Sequence, residues 1–247
     1  PMVTFSFSEN DGFVTDKKIF HYRSIAENGI GIVIVEATCV NKDGKLSEDQ
    51  LGIWDDKYIE GLSKLSQEIH KEGSMAIIQI HHAGLRKRGE IIQIPVTSSD
   101  YDDGKTKGRG MTLEEIEMVK DDFIQGAVRA QKAGFDGVEL HGAHGYLLTQ
   151  FFSEKINKRT DSYGGSLENR NRLALEILRG IRVKTSDDFI VGIRMGSNEN
   201  SLEESIERAK AFEKEGFDFL HVSTGFDGTP LDVELPEDFP CNWIVYG

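Results

Sequence analysis

Cysteine is scarce in this chain. Only Cys39 and Cys241 occur in 247 residues, far apart and with no CxxC spacing. That argues against a disulfide framework and reads as a reduced, cytoplasmic protein. Long apolar runs are also missing: no stretch of 18 or more apolar residues appears, so no membrane span is expected. A secretory leader pattern is absent too. Basic residues are in deficit, 29 Lys and Arg against 42 Asp and Glu, for a net charge of −13. Such a surface argues against nucleic acid or an anionic membrane as partner. What the chain does have is 38% hydrophobic residues. That suffices for one sizeable core and lies within the usual length of a (β/α)8 barrel.

A weak internal repeat organises the sequence. Four segments, AENGIGIVIVEA, HKEGSMAIIQIH, QKAGFDGVELHG and EKEGFDFLHVST, each read as a helix end, a glycine and then a strand. Gly29, Gly73, Gly134 and Gly216 are placed to take the left-handed conformation that ends a helix. This is the rhythm of consecutive βα units with a parallel sheet. Strands are expected near 1–6, 31–37, 75–81, 137–141, 189–195 and 219–224. Residues 85–111 form a polar insertion after the third. Between the strands, Ile59, Leu62, Leu65 and Ile69 share a helix face. Thr112 with Glu115, and Ser201 with Glu204, have the spacing of capping boxes that open helices.

Six strands fall short of a closed barrel of eight. An open six-stranded sheet would leave hazardous edges, so we expect a barrel whose remaining units, roughly 80–100 residues, lie beyond Gly247. The start, Pro-Met in a strand already under way, reads as processed, cloned or cut.

The connection after the strand at 137–141, HGAHGYLLTQFFSEKINKRTDSYGGSLENRNR, is far longer than the usual 2–6 residues of a βα loop and carries His141, His144 and Tyr146 close together. Neutral imidazoles can donate hydrogen bonds to a carbonyl oxygen, and a phenol can supply a proton. Strand alternation gives Ile77, Gln79 and His81 a shared face in their strand, Glu139 and His141 in theirs, and Ile190, Gly192 and Arg194 in theirs. It sorts the polar residues among them into the barrel interior. Gln79, His81, His141 and Arg194 thus fall at C-terminal strand ends, where such barrels gather their active sites. Plainer readings compete with this one. Arg194 could be a structural ion pair and Gln79 a polar core filler. His141 and His144, with His81 and His82 nearby, could bind a metal, although no carboxylate or cysteine completes a ligand set. The charges from Asp161 to Arg172 read as loop scaffolding.

The run H-x-A-H-G-Y-L from His141, followed by N-x-R-x-D-x-Y-G-G-S-x-E-N-R from Asn157 to Arg170, closely resembles the bacterial branch of the old yellow enzyme family, the FMN-dependent ene reductases. The resemblance implies a (β/α)8 TIM barrel with FMN as cofactor and NADH or NADPH as co-substrate. It implies an oxidoreductase passing hydride through flavin N5 to the β-carbon of an enone or enal. Position by position, His141 and His144 match the pair that grips the substrate carbonyl, and Tyr146 matches the proton donor. Pro1, Met2, Val3, Ala37, Gln79 and Arg194 match flavin contacts, while Phe5 and His81 fall in the substrate pocket. No metal is implied, and a homo-oligomer is compatible with the family. Some residues depart from its pattern. Val3 cannot donate the hydrogen bond that Cys or Thr gives there. Phe5 lacks a tyrosine hydroxyl, His81 stands where a small or aromatic residue is common, and Leu85 replaces an arginine. Three rival readings are a catalytically incompetent half-barrel acting as an assembly partner, a metal-dependent barrel hydrolase and a Schiff-base aldolase. No lysine at a strand end supports the last.

Overall fold

The computed structural model describes residues 12–87, 94–197 and 199–223. The expected strand at 1–6, with Pro1, Met2, Val3 and Phe5, lies outside these residues, as does everything after Ser223.

Five parallel strands form one sheet in the order β1 (Ile32–Cys39), β2 (Met75–His81), β6 (Gly137–Gly142), β7 (Ile190–Gly196) and β8 (Phe219–Ser223). Each strand pairs with the next main strand along the chain, as consecutive βα units of a TIM barrel require. The helices between them are α1 (Asp16–Ala26), α2 (Ile59–Lys71), α3 (Leu113–Lys132), α4 (Leu147–Phe152), α5 (Leu167–Lys184) and α6 (Leu202–Glu215). All four repeat glycines have positive φ, between 73° and 99°, so the helix–glycine–strand rhythm has its expected backbone cause.

Side-chain alternation separates two chemistries across the sheet. Val33, Val35, Ile78, Ile80, Val138, Leu140, Val191 and Ile193 join Leu62, Leu65, Phe123, Ile177 and Leu178 in one apolar layer between strands and helices. The opposite parity carries Gln79, His81, Glu139, His141 and Arg194. The ladder aligns these rows, with Gln79 opposite Glu139, His141 opposite Arg194 and Arg194 opposite His221. The interior of the partial barrel is therefore polar, at the height where β2, β6 and β7 end.

Two local irregularities shape that interior. In β1 the register slips between Val35 and Thr38, leaving an extra residue around Glu36 and Ala37. Such a bulge re-aims side chains. Glu36 is fully buried on Lys18 and Tyr22 of α1. Residues 94–110, within the polar insertion, form a small sheet in which β5 (Lys107–Gly110) lies between β3 (Val96–Thr97) and β4 (Tyr101–Asp102).

The capping expectations divide. Thr112 and Glu115 make both bonds of a capping box. Ser201 accepts from Glu204 N at 3.1 Å, but the Glu204 carboxylate turns instead to Arg170 and Arg208. A half-box results, because two buried guanidinium groups claim the carboxylate that would have closed it. Among the described residues, no helix is long and apolar enough to cross a membrane.

Candidate active site

The turn after β6 sets the site. His144 has φ 58° and Gly145 φ 76°, and Tyr146 N donates to Ala143 O at 3.3 Å. A left-handed conformation is costly for a residue with a Cβ and persists where the surroundings impose it, often at functional sites. It brings His144 back beside His141, with Nδ1 and Nε2 3.3 Å apart. Tyr146 then caps α4, whose six residues are all buried.

Tyr146 is held edge-on by two imidazoles. Its ring lies 4.4 Å from His81 at 84° and 4.7 Å from His141 at 86°. Leu46 and Ala83 complete its packing. The sequence-predicted group His81, His141, His144 and Tyr146 is thus brought together. Gln79 and Arg194 border it on the neighbouring strands, while Ala37 sits at the β1 bulge, fully buried.

The hydrogen bonds fix the tautomers. Ala143 N donates to His141 Nδ1 at 3.4 Å, which leaves the proton on His141 Nε2, facing His144 Nδ1. His144 Nε2–H then meets Ser223 Oγ at 2.6 Å, and Arg194 Nη2 donates to the same oxygen at 3.0 Å. Gln50, fully buried, accepts from Leu46 N and donates through Nε2 to Ala37 O at 2.8 Å and His81 Nδ1 at 2.9 Å. His81 therefore carries its proton on Nε2, which is buried and has no hydrogen-bond partner among the described residues.

Electrostatics keep these rings neutral. Burial, with the nearby His82 and His144, holds His81 well below the ordinary imidazole value. Burial, with His81, His144 and Arg194, does the same to His141. Burial and the Arg194 charge push His144 down to about 4, and burial with Lys87 takes His82 to about 4. A neutral imidazole is still a hydrogen-bond donor. The His144 ring resonances should accordingly keep their neutral positions in an NMR titration until the pH approaches 4. A midpoint near the ordinary 6.5 would mean a solvated ring. Because the unfolded chain takes up these protons first, the fold should lose stability as pH falls from about 6.5 toward about 4, with no gain above that range.

Three residues of this network were not assigned roles from sequence. Gln50 precedes the buried Leu51 in a connection with no strand or helix pattern. Ser223 and His221 sit at the end of the last described strand, and that position was their available signal. Conversely, the charged motif from Asn157 to Arg172 builds the loop. Asn157 Nδ2 donates to Phe151 O and Tyr163 O, each at 2.7 Å. Arg159 pairs with Asp161 and donates to Ser98 O and Met111 O. A Cβ on Gly164 would lie 2.2 Å from Arg159 O, so only glycine fits there.

Among the described residues, no three His, Cys, Asp or Glu side chains are grouped as a metal would require. A separate cleft of about 620 Å3 opens near α3, beside Asp43, Glu115, Glu117, Asp121 and Asp122. Its carboxylates disfavour anionic ligands such as a nucleotide.

The profile of the NADH:flavin oxidoreductase / NADH oxidase family matches residues 1–221. The chain belongs to this family. The family is one of FMN-dependent oxidoreductases. The NADPH dehydrogenase of Halalkalibacterium halodurans is 42% identical over 228 residues, which cover 91% of this chain and 67% of that protein. A 2-naphthoyl-CoA reductase in complex with 2-naphthoyl-CoA superposes with a TM-score of 0.88 at 33% identity, over 99% of this chain and 41% of that one. An old yellow enzyme homologue from Zymomonas mobilis gives 0.79 at 27% identity, over 89% of this chain and 67% of that one. The chain spans about two-fifths to two-thirds of the length of these proteins.

The interior fits the pyrimidine edge of FMN, tested on its own atoms. Gln79 Oε1 is a buried acceptor with no hydrogen-bond partner among the described residues. Its amide nitrogen is already engaged by Glu139 Oε1 at 2.5 Å. Arg194, half-buried on β7, two strands further along the sheet, supplies a positive charge to the same interior. A buried acceptor and a cation lining one interior suit a ring edge that offers an N–H beside carbonyl oxygens.

Proposed function

We propose that the protein is an ene reductase acting on α,β-unsaturated carbonyl compounds, enones or enals, with Tyr146 as proton donor. FMN, when bound, supplies the hydride chemistry between NADH or NADPH and the β-carbon of the substrate. His141 and His144, kept neutral by burial, receive the carbonyl oxygen, their Nε2–H groups turning to it from His144 Nδ1 and Ser223 Oγ. Tyr146 delivers a proton to the α-carbon. Gln79 and Arg194 hold the pyrimidine edge of the cofactor, with Pro1, Met2, Val3 and Ala37 along it. Phe5 and His81 line the substrate pocket. Residues 85–111 are an inserted loop after the third strand expected from the sequence, and the protein works in the cytoplasm.

The observation that carries this reading is the convergence of two neutral imidazole donors and a clamped phenol. They meet at the C-terminal strand ends, beside a buried amide oxygen that lacks a partner among the described residues. The barrel positions and orients; the cofactor does the difficult chemistry. The test is an absorption spectrum after incubation with FMN and desalting, followed by an assay of NAD(P)H-driven reduction of 2-cyclohexenone. A retained flavin band with enone turnover is expected. A retained flavin without turnover, under conditions where NADPH bleaches it, would overturn the substrate assignment.

A further inference from the structure

Glu139 is fully buried in β6, directly opposite Gln79 in β2. No role for it follows from the reaction above. Its two carboxylate oxygens are divided. Oε1 accepts from Gln79 Nε2 at 2.5 Å, and Oε2 lies 2.8 Å from His221 Nδ1. An ionised carboxylate only accepts, so both neighbours must donate to it. For Gln79 this decides the amide: nitrogen toward Glu139, oxygen away from it. An uncharged amide could otherwise flip, since its two ends are nearly the same size.

We propose that Glu139 is a positioning residue for the cofactor, fixing Gln79 so that its Oε1 accepts the N3–H of the flavin pyrimidine edge. This rests on the FMN reading above. Gln79 Oε1, buried and with no hydrogen-bond partner among the described residues, is the atom left to meet the ligand. His221, on β8, pins the far oxygen of Glu139, so the carboxylate cannot rotate away.

The isosteric substitution Glu139→Gln distinguishes positioning from filling. The His221 Nδ1–H would keep claiming an oxygen of the new amide, which turns its NH2 toward Gln79. Gln79 would then present its oxygen to position 139 and its NH2 to the flavin N3–H, donor against donor. FMN affinity should fall about tenfold or more, the scale of one mispaired buried hydrogen bond. In a Gln79→Ala background, where no amide remains to be turned, the same substitution should change affinity little.

Fluorescence titration of the apoprotein with FMN, for wild type, both single variants and the double variant, reads this directly. Melting curves alongside it establish that each is folded. Equal weakening by Glu139→Gln in both backgrounds would overturn the proposal, because Glu139 would then act independently of Gln79. An unchanged affinity in Glu139→Gln would overturn it too, while leaving the FMN reading intact. Failure of the wild type to bind FMN would instead sink that reading and the proposal with it. A second measurement needs no variant. With 15N-labelled FMN bound to the wild type, the N3–H proton should be shifted downfield and protected from water exchange; an exchanging, solvent-like resonance rules out the acceptor.

Discussion

Replacing Tyr146 by phenylalanine in the FMN-loaded protein is expected to slow enone reduction by ~10²–10⁴-fold, the usual contribution of a positioned proton donor. Reduction of the flavin by NADPH should proceed at the wild-type rate. The split follows from where the phenol sits. His81 and His141 hold the ring edge-on at 4.4 and 4.7 Å, and phenylalanine keeps those contacts. The substitution therefore removes the hydroxyl and leaves the packing of α4 in place. Hydride transfer from the nicotinamide to the cofactor requires no proton from residue 146, whereas completing the saturated carbonyl product at the α-carbon does. Stopped-flow measurement of each half-reaction separates the two. Equal losses in both would mean that Tyr146 shapes the pocket and that water or another group supplies the proton.

Much of this arrangement was legible in the sequence because it rests on short-range rules. The glycines that end helices, the two-residue alternation of Gln79 and His81, and the spacing from His141 to Tyr146 are local. Each survived folding with its side chain where alternation put it. The contacts that tune the site are not local. Gln50 meets His81 across 31 residues and His144 meets Ser223 across 79. Glu139 reaches Gln79 across 60 and His221 across 82. Parity showed that Glu139 points inward, but not that its two oxygens would orient an amide and hold an imidazole. The half-formed capping box at Ser201 has the same origin. A motif of four residues states what could bond locally, while Arg170, 34 residues away, competes for the Glu204 carboxylate and prevails. The β1 bulge was likewise invisible, since VIVEATC reads as an uninterrupted strand until its partner fixes the register.

Glu36, at that bulge, sits in a buried ion pair with Lys18, which leads to the largest expected effect on stability. Lys18 Nζ and the Glu36 carboxylate are both fully buried and in contact. Tyr22 OH donates to Glu36 Oε2 at 2.9 Å and accepts from Glu36 N at 2.7 Å. Burial lowers the Lys18 pKa even with Glu36 beside it, so the pair is held against a substantial desolvation penalty. Removing only the cation leaves a fully buried carboxylate without its Lys18 partner. Lys18→Met should therefore cost about 3–5 kcal/mol, a large share of the ~5–15 kcal/mol that a folded domain has. Pairing it with Glu36→Gln removes both charges and should recover most of the loss, since an uncharged pair of similar volume is often tolerated. Urea denaturation of the two single variants and the double variant gives the coupling energy. A single-variant loss under about 1 kcal/mol, the range of solvated surface pairs, would show that water reaches Glu36 in solution. A large coupling would tie the site to α1. Glu36 is followed by Ala37, whose carbonyl accepts from Gln50, and Gln50 sets the tautomer of His81 beside Tyr146. Loss of Lys18 should then also broaden the NMR resonances of His81.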